Sequence, residues 1–332
     1  MTRTPRSLAL AAFLLAVAAW PVRAAERIVL MVGGIEKIIY LPVKLAQQLG
    51  YFEQEGLEVE VRSEWAGVRG VDMLLVGGAQ GVVGFYDHTV YMQTQGKAVV
   101  SVVQFSQAPG EVELVSSRLP KVRTMADLGG QTLGVTGLGS STQFLSRYLA
   151  LSAGLRLNQV TFKPVGTGDS FIEAMSSGTI GAGMTTEPTA SRLLATGKAR
   201  VLVDLRTPED TARALGGPYP ASCLYMQTAW VNRHKPEVQK LVNALVKALR
   251  YIQGHTAAEI AAHVPADYYG QDKAIYIRAL ARTKPIFIPD GRMPASGPAN
   301  VLRVLTHTER SLQGKAVDLA STYTLEFVNA VK

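Results

Sequence analysis

Two hydrophobic periods alternate along this chain. "RIVLMV" (27–32) is a continuous apolar run that suits a buried strand, and "LEVEVR" (57–62) alternates as a half-buried strand does. "VVGF" (82–85) and "AVVSVVQF" (98–105) predict two further strands. Between these runs the period lengthens. "PVKLAQQLGYF" (42–52) places Leu45 and Leu49 at helical spacing and should stop at Gly50. "DHTVYMQTQG" (87–96) reads as a helix that Asp87 can cap and Gly96 can end. The rhythm then repeats. Strands are expected at 131–136, 159–165, 180–184 and 199–204, and helices at 141–153, 169–177 and 188–196. Strands that alternate with helices predict parallel sheets in α/β layers.

The rest of the chain is mainly helical. "KPEVQKLVNALVKALRYIQG" (235–254) carries Leu241, Val242, Leu245, Leu249 and Ile252 on one stripe, with Pro236 in its first turn. Weaker helical patterns cover 271–282, 298–312 and 321–330, and 284–298 is a Pro/Gly loop.

The N-terminus follows a different pattern. Arg3 and Arg6 precede an apolar run from Leu8 to Trp20, and Val22 and Ala24 stand before Ala25. This is the pattern of a secretory signal peptide cleaved near Ala24–Ala25, with an apolar run too short to span a bilayer. No other stretch predicts a transmembrane helix, so the mature chain is expected to be soluble, exported to the periplasm and not inserted in the membrane. The only cysteine is Cys223, so there is no lipoprotein cysteine at the cleavage point, no intramolecular disulfide and no cysteine-type zinc site. The 308 residues after Ala24 suggest about two domains of ~150 residues. Net charge is +8, or +5 without the leader's three arginines, and the basic residues are interspersed with acids. That pattern gives no nucleic-acid footprint.

Candidate chemistry gathers in the loops that follow strands, where open α/β sheets bind ligands. "TGLGSST" (136–142) has no lysine for a phosphate loop, no third glycine for a dinucleotide fingerprint and no GxSxG for a nucleophile. Gly137 and Gly139 let backbone approach a ligand. Ser140 or Ser141 is expected to cap the next helix. The free N–H groups there, with the hydroxyls of Ser140, Ser141 and Thr142, would hold an anion. An ordinary cap in a βα turn is the alternative. Other candidates are Gly34, Lys37 and Tyr40 after the first strand, Trp65 after the second, and Tyr86, Asp87 and His88 after the third. Thr167, Thr186 and Glu187 stand in later loops. Tyr40, Trp65 and Tyr86 would supply aromatic walls for a ligand with an organic body. His88 also reads as a solvated histidine, Lys37 as a surface charge, Glu187 as the start of a helix, and Cys223 as a buried small residue. The five histidines form no HxxxH pair, and no metal site, cofactor or catalytic residue is expected. An enzyme with Asp87 and His88 as its acid/base pair is the competing reading.

The order of motifs resembles the sulfonate/nitrate/taurine-type solute-binding proteins of ABC importers. "YLPVKLAQQLGYFEQEGLEVEV" resembles their entry segment, and "TMADLGGQTLGVTGLGSSTQFLSRYLALSAGL" resembles the entry to their second lobe. "AMSSGTIGAGMTTEP" and "DLASTYTLEFVNAV" resemble two later stretches. Gly130, Gln131 and Gly181 depart from the family's usual residues. The same superfamily includes binders of thiamine pyrimidine precursors, and the Cys-rich motif of its eukaryotic synthase relatives is missing here. The resemblance implies an α/β, type II periplasmic-binding-protein fold with two lobes, a central cleft and two crossovers. One lobe would join residues 25–114 to 222–332, and the other would be 115–221. It implies a monomer that captures a small organic solute, an anion such as a sulfonate or carboxylate first, and delivers it to an ABC permease and its ATPase. A heteroaromatic ligand and a periplasmic sensor role are the alternatives.

Overall fold

The computed structural model describes residues 27–64, 67–270 and 272–332. The expected leader, 1–24, lies outside them. Ten strands form two five-stranded sheets. The first contains Ile28–Val32 (β1), Val59–Ser63 (β2), Gly81–Phe85 (β3) and Val99–Gln104 (β4). The second contains Glu111–Ser116 (β5), Thr132–Val135 (β6), Thr161–Pro164 (β7), Ala182–Thr186 (β8) and Ala199–Leu205 (β9). Ser222–Gln227 (β10) returns to the first sheet. The strand orders are β2-β1-β3-β10-β4 and β7-β6-β8-β5-β9.

The sheets are mixed, not parallel throughout. β1 runs parallel to β2 and β3, and β6 parallel to β7 and β8. β10 is antiparallel to both neighbours, β3 and β4. β5 is antiparallel to β8 and β9 in the same way. Neither strand is foreseen by the βα rhythm, because each is entered from the opposite sheet and runs antiparallel to its neighbours: β5 comes straight after β4, and β10 follows β9 through the helix Pro208–Leu215. The two connections, 105–110 and 206–221, lie side by side. Phe105 N donates to Ser222 O (2.8 Å), Ala221 N to Ser106 O (3.2 Å) and Gly110 N to Leu205 O (3.0 Å). Ser222 Oγ donates to Ser106 Oγ at 2.9 Å.

Helices cover both sheets. Lys235–Gly254 buries Leu241, Val242, Leu245, Leu249 and Ile252, the stripe its period predicts, with Pro236 in the first turn. Its apolar face packs against Leu41–Gln48, Tyr51–Gln54 and β4, so it belongs to the first sheet. Gly50 is left-handed (φ +66°) and separates those two short helices, which is the stop its position predicts. The second sheet has its own smaller core on one face, with Val112, Leu114, Phe171, Ile180 and Leu193. No helix among the described residues is long and apolar enough to cross a membrane.

Gly183 in β8 fixes the spacing of the second sheet. A Cβ there would sit 2.6 Å from Gly134 O and 2.8 Å from Gly134 N, and that backbone belongs to the paired strand β6. Backbone cannot swing aside as a side chain can. Gly183→Ala is therefore expected to destabilise the protein by ~1–3 kcal/mol, the usual cost of overpacking. An unchanged urea midpoint for this variant would contradict the close β6–β8 approach.

Candidate functional site

A cavity of about 20 Å³ lies between the sheets. That is room for about one water molecule. Its walls come from both sides, at the carboxyl ends of β3, β6 and β8, at the amino end of antiparallel β5, and in the turn after β1. Lys37, Tyr40, His88, Ser140, Ser141, Thr142 and Thr186 line it, all of them expected from the sequence. Ile39, Phe85, Glu111 and Thr136 line it too and were not expected.

The remaining candidates lie elsewhere. Gly34 adopts φ +97°, and a Cβ there would fall 2.7 Å from Lys37 Cε. Its part is therefore to let the lysine fold back over the turn. Tyr86 is fully buried, and its hydroxyl bonds Thr322 Oγ1 away from the cavity. Gly139 is left-handed (φ +79°) and its N–H donates to Gln143 Oε1 at 2.7 Å. Thr167 shares a hydrogen bond with Thr189 Oγ1 at 3.1 Å. Glu187 accepts from Arg206 Nη1 at 2.6 Å and from Ser191 Oγ at 2.9 Å, so its carboxylate serves the frame. Trp65 lies outside the described residues. The aromatic wall is thus Tyr40 with Phe85, packed edge to face at 6.5 Å, and Tyr86 is not part of it.

The loop before helix Ser141–Ser152 differs from expectation in a useful way. Ser140 holds the N-cap position with extended backbone, yet no side chain caps the helix. Ser140 Oγ donates instead to Gly137 O (2.6 Å) and pairs with Thr142 Oγ1 (2.7 Å). Thr142 Oγ1 also accepts from Thr136 N at 3.0 Å. The hydroxyls therefore brace the loop. Gln143 N and Phe144 N both turn back to Ser140 O. The N–H groups of Ser141 and Thr142 are left at the cavity without an intrahelical partner, at the positive end of the helix dipole.

Asp87 does not cap its helix either. It is fully buried in the first turn of Asp87–Gln93, and no side chain caps that helix. Its Oδ1 accepts from Ser141 Oγ (2.9 Å) and its Oδ2 from Tyr219 Oη (3.1 Å). The Ser141–Asp87 bond crosses from one sheet's helix to the other's. His88 Nδ1 lies 2.7 Å from Asp87 Oδ1, but not in the direction of a hydrogen bond. Its Nε2 has no partner among the described residues. The ring stacks on Tyr225 at 6.5 Å. Ser141 Oγ donates its hydrogen bond to this carboxylate and not to the imidazole.

Lys37 and Glu111 in the wall favour each other's charged form, and burial works against both. Burial pushes the Lys37 pKa down, against Glu36 and Glu111, which push it up. Lys37 Nζ donates to Gly33 O at 2.6 Å. Burial pushes Glu111 well above the carboxylate range, helped by Asp87 and Glu113 and opposed by Lys37. Two acids at 111 and 113 in "EVELVS" were a legible signal, because residues two apart on a strand share a face.

Two sheets of this order, joined by paired crossovers with a cavity between them, define the type II periplasmic-binding-protein fold. The chain belongs to the NMT1/THI5-like family, whose model matches residues 39–258. A protein of Bordetella bronchiseptica RB50 with a solved structure is 34% identical, with a TM-score of 0.88 over 91% of this chain and 96% of that one. The alkanesulfonate-binding protein SsuA of Xanthomonas axonopodis pv. citri, bound to MOPS, is 20% identical with a TM-score of 0.71, covering 90% of this chain and 98% of that one. YtlA of Bacillus subtilis (strain 168) is 22% identical over 257 residues, 74% of this chain and 72% of that protein.

Proposed function

We propose that this protein is the solute-binding component of an ABC importer. It captures a small organic solute between two lobes by hinge closure and delivers it to a membrane permease and its ATPase. The observation that carries the reading is the interlobe cavity, walled from both sheets and faced by the uncapped N-terminus of the Ser141 helix. Two free N–H groups on a helix dipole suit an anionic or strongly accepting group, such as a sulfonate or carboxylate. Tyr40 and Phe85 suit its organic body. The alkanesulfonate named for the Xanthomonas relative is of this class. Binding without chemistry is supported by Ser141 giving its hydrogen bond to Asp87 and not to the imidazole of His88. Export to the periplasm is supported by the N-terminal sequence pattern and by the fold.

The division into two lobes is supported by sheet membership. We set it in the connections 105–110 and 206–221, because β5 (111–116) is hydrogen-bonded wholly into the second sheet. Those paired connections are the natural hinge. The cavity holds little more than a water, so a solute must enter with the lobes apart and be enclosed as they approach.

The test is the ligand itself. Mass spectrometry of the purified protein under non-denaturing conditions should show a retained small molecule. Calorimetry against sulfonates, carboxylates and pyrimidines should then give saturable heat with its class. A protein that retains nothing and binds nothing in such a panel is not a solute carrier. Ser141→Ala removes the hydrogen bond that spans the cleft to buried Asp87. A hydrogen bond to a charged group contributes ~1.5–3 kcal/mol. The variant is therefore expected to bind roughly 10- to 100-fold more weakly. Unchanged affinity would mean that this bond has no part in closure.

A further inference from the structure

We propose that Glu111 selects the solute by accepting a hydrogen bond from a nitrogen on it, an ammonium or an N–H group. The solute is then two-ended, with its accepting end at the Ser141 helix and its donating end at Glu111. This rests on the cavity being the solute site.

Glu111 is the first residue of β5 and is 2% exposed. It stands directly opposite Thr186 in the antiparallel β5–β8 register. Both residues line the cavity, and both present a buried oxygen, Glu111 Oε2 and Thr186 Oγ1, that has no hydrogen-bond partner among the described residues. Such atoms are costly to bury and are normally paired. The neighbouring groups do not serve it. Lys37 Nζ is committed to Gly33 O, Asp87 is bonded to Ser141 and Tyr219, and Tyr219 donates to Asp87. Glu113, on the same strand face, takes the Ser146 hydroxyl on its Oε2. Burial works against the charge of Glu111, and an ammonium or N–H group brought to it would favour the carboxylate, as a nearby cation or a donated hydrogen bond does. The Thr186 hydroxyl can accept from the same group. Glu36, Lys37, Asp87 and Glu113 are the titratable groups that act on Glu111 or on Lys37 beside it, and three of the four are acids. That balance favours a cation or donor at this end.

The experiment is calorimetry on matched pairs that differ only by an amino group. The pairs are 2-aminoethanesulfonate against ethanesulfonate, 3-aminopropanoate against propanoate, and 4-aminopyrimidine against pyrimidine. The amino member of a pair should bind the wild type at least ~10-fold more tightly, about 1.4 kcal/mol. In Glu111→Leu, which has no acceptor and is shown to be folded by its thermal midpoint, the gap should shrink to ~3-fold or less. The wild-type comparison needs no variant and stands if Glu111→Leu does not fold. Equal or tighter binding of the amino-free members overturns the proposal, and so does a gap that survives Glu111→Leu. If no pair binds, the compound retained in the purified protein decides. One with a donor nitrogen supports the proposal. One without overturns it and leaves solute binding intact. No retained compound and no heat removes both readings.

Discussion

Arg206→Met is expected to destabilise the protein by ~3–5 kcal/mol, the usual consequence of breaking a buried ion pair by removing one partner. The Arg206 side chain is 1% exposed and stands where the chain leaves the second sheet. Its Nε and Nη2 donate to Asp204 Oδ1 and Oδ2 at 2.8 and 2.7 Å, and its Nη1 donates to Glu187 Oε1 at 2.6 Å. Glu187 is fully buried. Asp204 keeps a second cation, Arg282, at 2.7 Å, but among the described residues Glu187 keeps only Ser191. The penalty therefore falls on Glu187. Burial pushes the Asp204 pKa up, but the hydrogen bonds and charge of Arg206, with Arg282 behind, outweigh it and hold the carboxyl below its ordinary value. Urea unfolding of Arg206→Met, Glu187→Gln and the double variant would measure the coupling. The double variant should recover part of the loss, because it no longer buries an unpaired charge. A single-variant cost under ~1 kcal/mol would show that the guanidinium is not the group holding Glu187.

Stability is also expected to fall as pH rises from about 4.5 to about 8, through Glu113. Burial pushes this carboxyl up to about 8 from an ordinary value of 4.5, against the opposing hydrogen bond from Ser146. The sign follows from proton counting. Below 4.5 the group is protonated whether the chain is folded or not, and its favourable contribution is complete. Between the two values the unfolded chain releases the proton and the folded chain keeps it, so rising pH favours unfolding. One such group contributes at most about 1.4 kcal/mol per pH unit. Glu111 acts in the same sense, so the diagnostic is the difference between the wild type and Glu113→Gln. Urea midpoints at pH 5, 6, 7 and 8 should slope less in the variant. Parallel profiles would mean that Glu113 is ionised in the folded protein.

Much of the architecture was legible because it is local. The Lys235–Gly254 stripe, the left-handed stop at Gly50 and the βα units of both sheets follow from period and turn chemistry that adjacent residues set themselves. The uncommitted backbone at "TGLGSST" was legible as well, since a helix must begin there with N–H groups it cannot pair internally. The roles of its hydroxyls were not. They depend on Asp87, 54 residues away, and on how Thr136 closes the turn.

What the sequence by itself determined is the βα alternation, the helical cover and the family motifs, together with seven of the residues that line the cavity. What only the tertiary structure decided is the pair of antiparallel crossover strands, β5 and β10, and with them the place of Glu111. "EVELVS" and "SCLYMQ" are six-residue runs whose partners lie far off in sequence: β8 and β9 for the first, β3 and β4 for the second. Nothing in six residues specifies which sheet edge will accept them or in which direction. That choice is made by long-range hydrogen bonding and burial, and here it carries a carboxylate into the cleft.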